Sequence, residues 1–124
     1  MNLNIQQKLH LIQSKITHLT KTETNNYQHY KYFSEYQILT LLKPLLTENK
    51  LTLLFSDVPA SFSKEKLEKE WVVSYQKQAI LTNSEKSEET LTYHFWACGQ
   101  NTDLAKAKGA AETYAVKYFL QKLF

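Results

Sequence analysis

An α+β fold follows from two changes of period along the chain. Apolar residues recur at helical spacing before residue 50 and again after residue 103, and at a spacing of two in between. The reading is a three-stranded antiparallel sheet with two helices before it and one long helix after it, the helices covering one oily face of the sheet. At 124 residues the chain can build one real core but not two. It is read as a single domain, 1–124: an N-terminal helix (1–19), a linker with an aromatic lead-in (20–33), and the core proper (34–124).

The N-terminal helix rests on Ile5, Leu9, Ile12, Ile16 and Leu19, spaced 4, 3, 4, 3 along one stripe. Such a stripe serves either for packing on the chain's own sheet or for pairing helices between subunits. Residues 20–26, TKTETNN, carry no period and read as a linker. Ser34 followed by Gln37 forms a capping box that starts the second helix, with Ile38, Leu41, Leu42, Leu45 and Leu46 inward. Pro44 has no N–H to donate, so it should kink this helix or tighten its last turn. Asn49 is expected to stop the helix in a left-handed conformation.

From Leu51 the alternation is strict. Leu51, Leu53 and Phe55 share a face, and Pro59 ends the strand after Val58. Residues 61–69 are expected to form a charged connection with helical character. Trp71, Val73, Tyr75, Ala79 and Leu81 then line one face of a long strand, opposite Val72, Ser74, Gln76 and Gln78. A polar turn leads to a third strand in which Leu91, Tyr93 and Phe95 oppose Thr92, His94 and Trp96.

Residues 101–124 form the closing helix, with Asn101, Thr102 or Asp103 as its cap. At 100° per residue it shows two apolar stripes: Leu104, Ala107, Ala111, Tyr114, Ala115 and Tyr118, and then Ala105, Gly109, Val116, Leu120 and Leu123. Between them Lys106, Ala110, Thr113 and Lys117 line up, with the two ammonium groups about 16 Å apart along the axis. That stripe is either an ordinary solvated face or a track for a phosphate backbone. Gly109 costs an interior helix about 1 kcal/mol relative to Ala, so it marks a place where another backbone, a neighbouring subunit or a ligand is expected to come close.

Composition excludes several function classes. The only glycines are Gly99 and Gly109, which rules out a glycine-rich phosphate loop and makes ATP use improbable. The carboxylates are scattered through connections that look solvated, where a nuclease would cluster them around a metal. His94 and Cys98 share a strand face, but His10, His18 and His29 lack ligand spacing, so no metal is expected. Cys98 stands alone, with no group placed to activate it as a nucleophile, and no disulfide is possible. The chain reads as a binding module with no catalytic residue and no cofactor. Without a long apolar run or a leader pattern, it is expected to be soluble, intracellular and off the membrane.

The charge is informative about partners. Residues 1–50 carry six Lys and three acids, residues 51–96 five and seven, and residues 97–124 four and two, so both ends are basic. All fifteen positive charges are Lys. Bidentate Arg readout of guanine is therefore unavailable, and any contact with nucleic acid should have little sequence preference. Residues 26–33, NYQHYKYF, interleave rings with Lys as single-stranded nucleic acid requires. The same rings would equally cover a sheet edge.

Two motifs together resemble the ERF (essential recombination function) family of phage single-strand annealing proteins, part of a wider group that includes the eukaryotic mediator Rad fifty-two. One is Asn26-Tyr27 with Tyr30-Lys31-Tyr32, followed by Lys43-Pro44-Leu45-Leu46 before the first strand. The other runs from Gly109-Ala110-Ala111 through Thr113-Tyr114-Ala115 and Lys117-Tyr118 to Leu123-Phe124. The resemblance covers nearly the whole chain. It implies a β-β-β-α annealing core and a ring or helical homo-oligomer that holds single-stranded DNA, so that complementary strands anneal without ATP. It further implies a recombination or repair role in the cytoplasm of a bacterial host, encoded by a phage or prophage, with a single-strand-binding protein as a possible partner. Family members usually carry a tail beyond the helix, whereas this sequence stops at Phe124. Carried over from the motifs, the DNA-binding residues are Tyr30, Lys31, Tyr32, Thr113 and Lys117; charge and placement add Lys106 and Lys108. The alternative is a protein interaction module that uses its two apolar stripes and has no DNA function.

Overall fold

The computed structural model describes residues 3–26 and 34–124, and side chains for residues 3–16 and 34–124. Three helices and a four-stranded sheet run in the order α1 (Ile5–Asn26), α2 (Glu35–Glu48), β1 (Leu51–Asp57), β2 (Ser63–Leu67), β3 (Glu70–Asn83), β4 (Thr90–Asn101) and α3 (Leu104–Leu123). The fold class and the three helices are as expected. The sheet has one strand more than the three expected, because residues 61–69 contain β2, which folds back on β3 through Glu68 and Lys69. Its sequence, SKEKL, has no apolar helical stripe, and Glu68 takes the left-handed conformation (φ 57°) that a tight hairpin turn favours. Lys64 and Lys66 lie over the Trp71 ring at 5.6 and 5.5 Å.

β3 is the spine. It pairs antiparallel with β1 (Leu51↔Asn83 to Asp57↔Lys77) and with β2 (Ser63↔Ser74 to Leu67↔Glu70). Its other side carries β4 along its length, from Trp71↔Asn101 to Thr82↔Thr90. β1 and β2 therefore lie end to end on one edge of the sheet, and β4 forms the other.

α1 extends to Asn26, through the stretch expected to be a linker. It buries Ile5, Leu9 and Ile12 on its own sheet and helices, with Ile16 partly buried beside them. The polar turn before β4 is not merely solvated, since Lys8, 3% exposed, reaches Asn83 Oδ1 (2.8 Å) and Glu85 Oε1 (2.7 Å), and Glu89 Oε1 accepts from Ile5 N (3.0 Å). α2 starts at the predicted capping box: Ser34 Oγ accepts from Gln37 N, and Ser34 N donates to Gln37 Oε1. Its helical assignment continues through Pro44 to Glu48. Asn49 is not left-handed (φ −93°); the left-handed residue is Lys50 (φ 56°), and Asn49 instead donates from its side chain to Leu45 O.

The core falls into two clusters. One joins α1, α2, Leu51, Leu81, Val116 and Leu120; the other joins Val73, Tyr75 and Ala97 to Ala107 and Ala111 of α3. Phe119 stacks on Phe95 (4.4 Å, 8°) and meets Phe55 edge-on at 6.0 Å. At the second cluster α3 lies almost on the backbone of β4. A Cβ on Gly99 would stand 2.3 Å from Ala107 O and 2.7 Å from Ala111 N. The close approach of another backbone of this chain, one of the alternatives at Gly109, is found instead at Gly99. Gly109 itself is exposed, and a Cβ added there would meet nothing within 4 Å.

Candidate nucleic-acid interface

The face α3 presents to solvent follows from its geometry. Side chains four apart form ridges, and two adjacent ridges, 107-111-115-119-123 and 104-108-112-116-120, turn inward onto the sheet. This replaces the two separate apolar stripes expected, because Tyr114 and Tyr118 come from one stripe and Ala105 and Gly109 from the other, and all four are exposed. Asp103 caps the helix, accepting from Lys106 N at 3.1 Å.

Lys106, Thr113 and Lys117 do share the outer surface, with Lys106 and Thr113 exposed and Lys117 half-buried. Next to them is a pair that sequence reasoning had assigned to packing. Tyr114 and Tyr118 are 54% and 46% exposed, and their rings stack at 6.3 Å and 16°. Lys117 Nζ lies 5.2 Å from the Tyr118 ring centre and 5.9 Å from that of Tyr114. Exposed Lys122, one turn past Tyr118, extends the same surface. The i, i+4 spacing of Lys106, Ala110, Tyr114, Tyr118 and Lys122 is the signal that would have found this ridge. The result is a two-ring platform flanked by cations, able to stack flat apolar groups and to neutralise phosphate.

Lys108 does not join that surface. Its Nζ is 3.1 Å from Asp57 Oδ2, 3.8 Å from Glu112 Oε1 and 4.2 Å from the Tyr75 ring centre, so its charge is matched by partly exposed acids of this chain. The group it joins was invisible at the level of segments: Lys77, on the oily face of β3 and 2% exposed, sits between Asp57 Oδ1 (2.8 Å) and Glu112 Oε2 (2.7 Å). Tyr75 donates to Glu112 Oε1 at 2.9 Å. A period of two from Tyr75 to Ala79 puts Lys77 on that face, where only paired charge is tolerable. Tyr30, Lys31 and Tyr32 lie outside the described residues. Among the described residues no group of three metal-ligating side chains is found, and His94 and Cys98, four residues apart on one strand, are separated by about 13 Å. No described helix is long and apolar enough to cross a membrane.

The partners of the two buried lysines, Lys77 and Lys8, set a pH window. The hydrogen bond from Lys77 holds Asp57 below its ordinary 3.8, and those from Lys8 and Asn83 hold Glu85 and Glu89 below their ordinary 4.5. Burial pushes Tyr75 well above 10.0, helped by its bond to Glu112. Burial alone would lower Lys77, but its bonds to Asp57 and Glu112 outweigh that and leave it above 10.5. Depressed carboxylates contribute stability that is present at neutral pH and lost as the pH falls through their folded values. The raised Tyr75 and Lys77 contribute stability that is full below their ordinary values and lost as the pH rises past them. Thermal melts should therefore show a plateau between about pH 5 and pH 9, with Tm falling on both sides. A Tm that rises below pH 4 would contradict the ion-pair assignment.

Comparison with known proteins gives one family. The ERF superfamily model matches residues 5–124. No curated protein and no solved structure matches the chain. The family match spans α1 through α3, including the helix that carries the ring-and-lysine surface. The chain belongs to the ERF superfamily.

Proposed function

We propose that this chain is a phage-type recombination mediator that binds single-stranded DNA along the outer face of α3 and, as a homo-oligomer, promotes annealing of complementary strands without ATP. The observation that carries this reading is the exposed Tyr114–Tyr118 stack with Lys117 beside it and Lys106 and Lys122 along the same face. Rings accept any base and lysines any phosphate, and the absence of Arg removes the usual means of base-specific readout. Annealing then needs no covalent step: bound strands are held close, with their mutual repulsion reduced. Family membership supports the recombination theme.

The test is binding of a fluorescent single strand and of its duplex across a salt series, followed by addition of the complementary strand. Three lysines per chain on phosphate predict that log K falls with log salt at a slope of about −2 for a single copy, and more steeply for an oligomer. Annealing should be faster than with DNA alone and indifferent to ATP. A protein that binds neither form at low salt would instead be the alternative, a protein interaction module.

A further inference from the structure

The lysines and the rings on the outer face of α3 answer to different parts of a nucleic acid. Lys106, Lys117 and Lys122 meet phosphate, which a duplex carries as well as a single strand. With one charge per about 1.7 Å of its axis, a duplex is the stronger attractant, so lysines alone do not favour an unpaired strand. Glu112, the sole acid of α3, does not alter that balance, because it is held by Lys77 and the Tyr75 hydroxyl.

Tyr114 and Tyr118 meet bases. Both are exposed, and their rings are parallel to within 16° with centres 6.3 Å apart. Bases in a duplex repeat about every 3.4 Å and cover one another's faces. The spacing of the two tyrosine rings is nearly twice that, so neither ring covers the other and each keeps a face open to a base. A base can use that face only when it has left the double helix. Lys117 Nζ, 5.2 Å from one ring centre and 5.9 Å from the other, supplies charge for the phosphate of the same nucleotide.

We propose that Tyr114 and Tyr118 are the residues by which this surface tells an unpaired strand from the annealed product. The lysines hold strand and product alike, and the ring pair holds only the strand. As a base pairs with its complement and stacks into the duplex, its face is taken from the tyrosine, so annealing withdraws the ring contacts one base at a time. The product is left on charge alone, a contact that salt weakens steeply. This inference rests on the DNA-binding reading given above and deepens it, by assigning the choice of strand to two named side chains.

The experiment is fluorescence anisotropy of the full chain with three labelled ligands of equal length: a single strand, its duplex, and a strand of abasic deoxyribose phosphates. The variants are Tyr114→Ala with Tyr118→Ala, and Tyr114→Phe with Tyr118→Phe, each checked by circular dichroism melt. The native chain should bind the single strand about 100-fold more tightly than the abasic strand, about tenfold for each ring. The double alanine variant should lose that factor on the single strand and stay within about twofold of native on the duplex and the abasic strand. The double phenylalanine variant keeps the rings and should bind all three as the native chain does. Equal losses on single strand and duplex in the alanine variant would overturn the proposal and leave the DNA reading standing. So would a native chain that holds the abasic strand as tightly as the normal one, or a phenylalanine variant that loses as much as the alanine variant. A native chain that binds none of the three at low salt would remove the DNA reading and this inference together.

Discussion

Gly99→Ala is expected to destabilise the fold by about 3 kcal/mol, the upper end of what one added methyl does in a close-packed site. The new Cβ would meet Ala107 O at 2.3 Å and Ala111 N at 2.7 Å. Both are helix backbone, which cannot rotate aside as a side chain does. Relief requires α3 to lift from β4, and that opens the cluster of Val73, Tyr75, Ala97, Ala107 and Ala111. The matched variant Gly109→Ala should gain about 0.5–1 kcal/mol, because Gly109 lies in a helix interior with space around it and a negative φ. Urea denaturation of the two variants beside the native chain checks both signs. Equal effects at the two positions would mean that α3 does not sit on β4 as described.

Lys106→Glu combined with Lys117→Glu should weaken binding of single-stranded DNA by at least about 100-fold at moderate salt, since two attractive phosphate contacts become repulsive ones. Both residues lie on the outer face of α3, so the melt and the oligomer size should change little. Lys108→Met is the contrasting variant. Its ammonium is already matched by Asp57 and Glu112, so its removal should leave DNA affinity within about twofold while altering stability. Fluorescence anisotropy with a labelled strand separates these outcomes. Normal binding by the double glutamate variant would move the DNA site off α3, and a large loss with Lys108→Met would return Lys108 to it.

Much of the architecture was legible because it depends on local period. The stripe of Ile5, Leu9 and Ile12, the Ser34–Gln37 box and the alternation from Leu51 through Phe95 each act within a few residues, and the structure keeps them. β2 was missed because five exposed, mostly charged residues carry no burial signal, and their strand state is decided by pairing with Ser74 to Glu70. The extent of α1 was underestimated for a related reason: a polar segment without an apolar stripe extends the helix only because α1 has already formed.

The candidate site divides in the same way. That residues 104–123 form a helix bearing Lys106, Thr113 and Lys117 on one surface was determined by the sequence itself, through the 3.6-residue period. Which of its ridges meets the sheet was a tertiary decision. Gly99 lets α3 descend onto β4, and that contact turns Ala107 and Ala111 inward. With those two buried, Lys108 and Glu112 meet Asp57 and the buried Lys77 at the rim of the sheet, and Tyr114 and Tyr118 are left facing water. A helical period orders side chains around an axis, but the rotation of that axis against a sheet is set by the steric fit at one glycine and by the need to pair one buried ammonium.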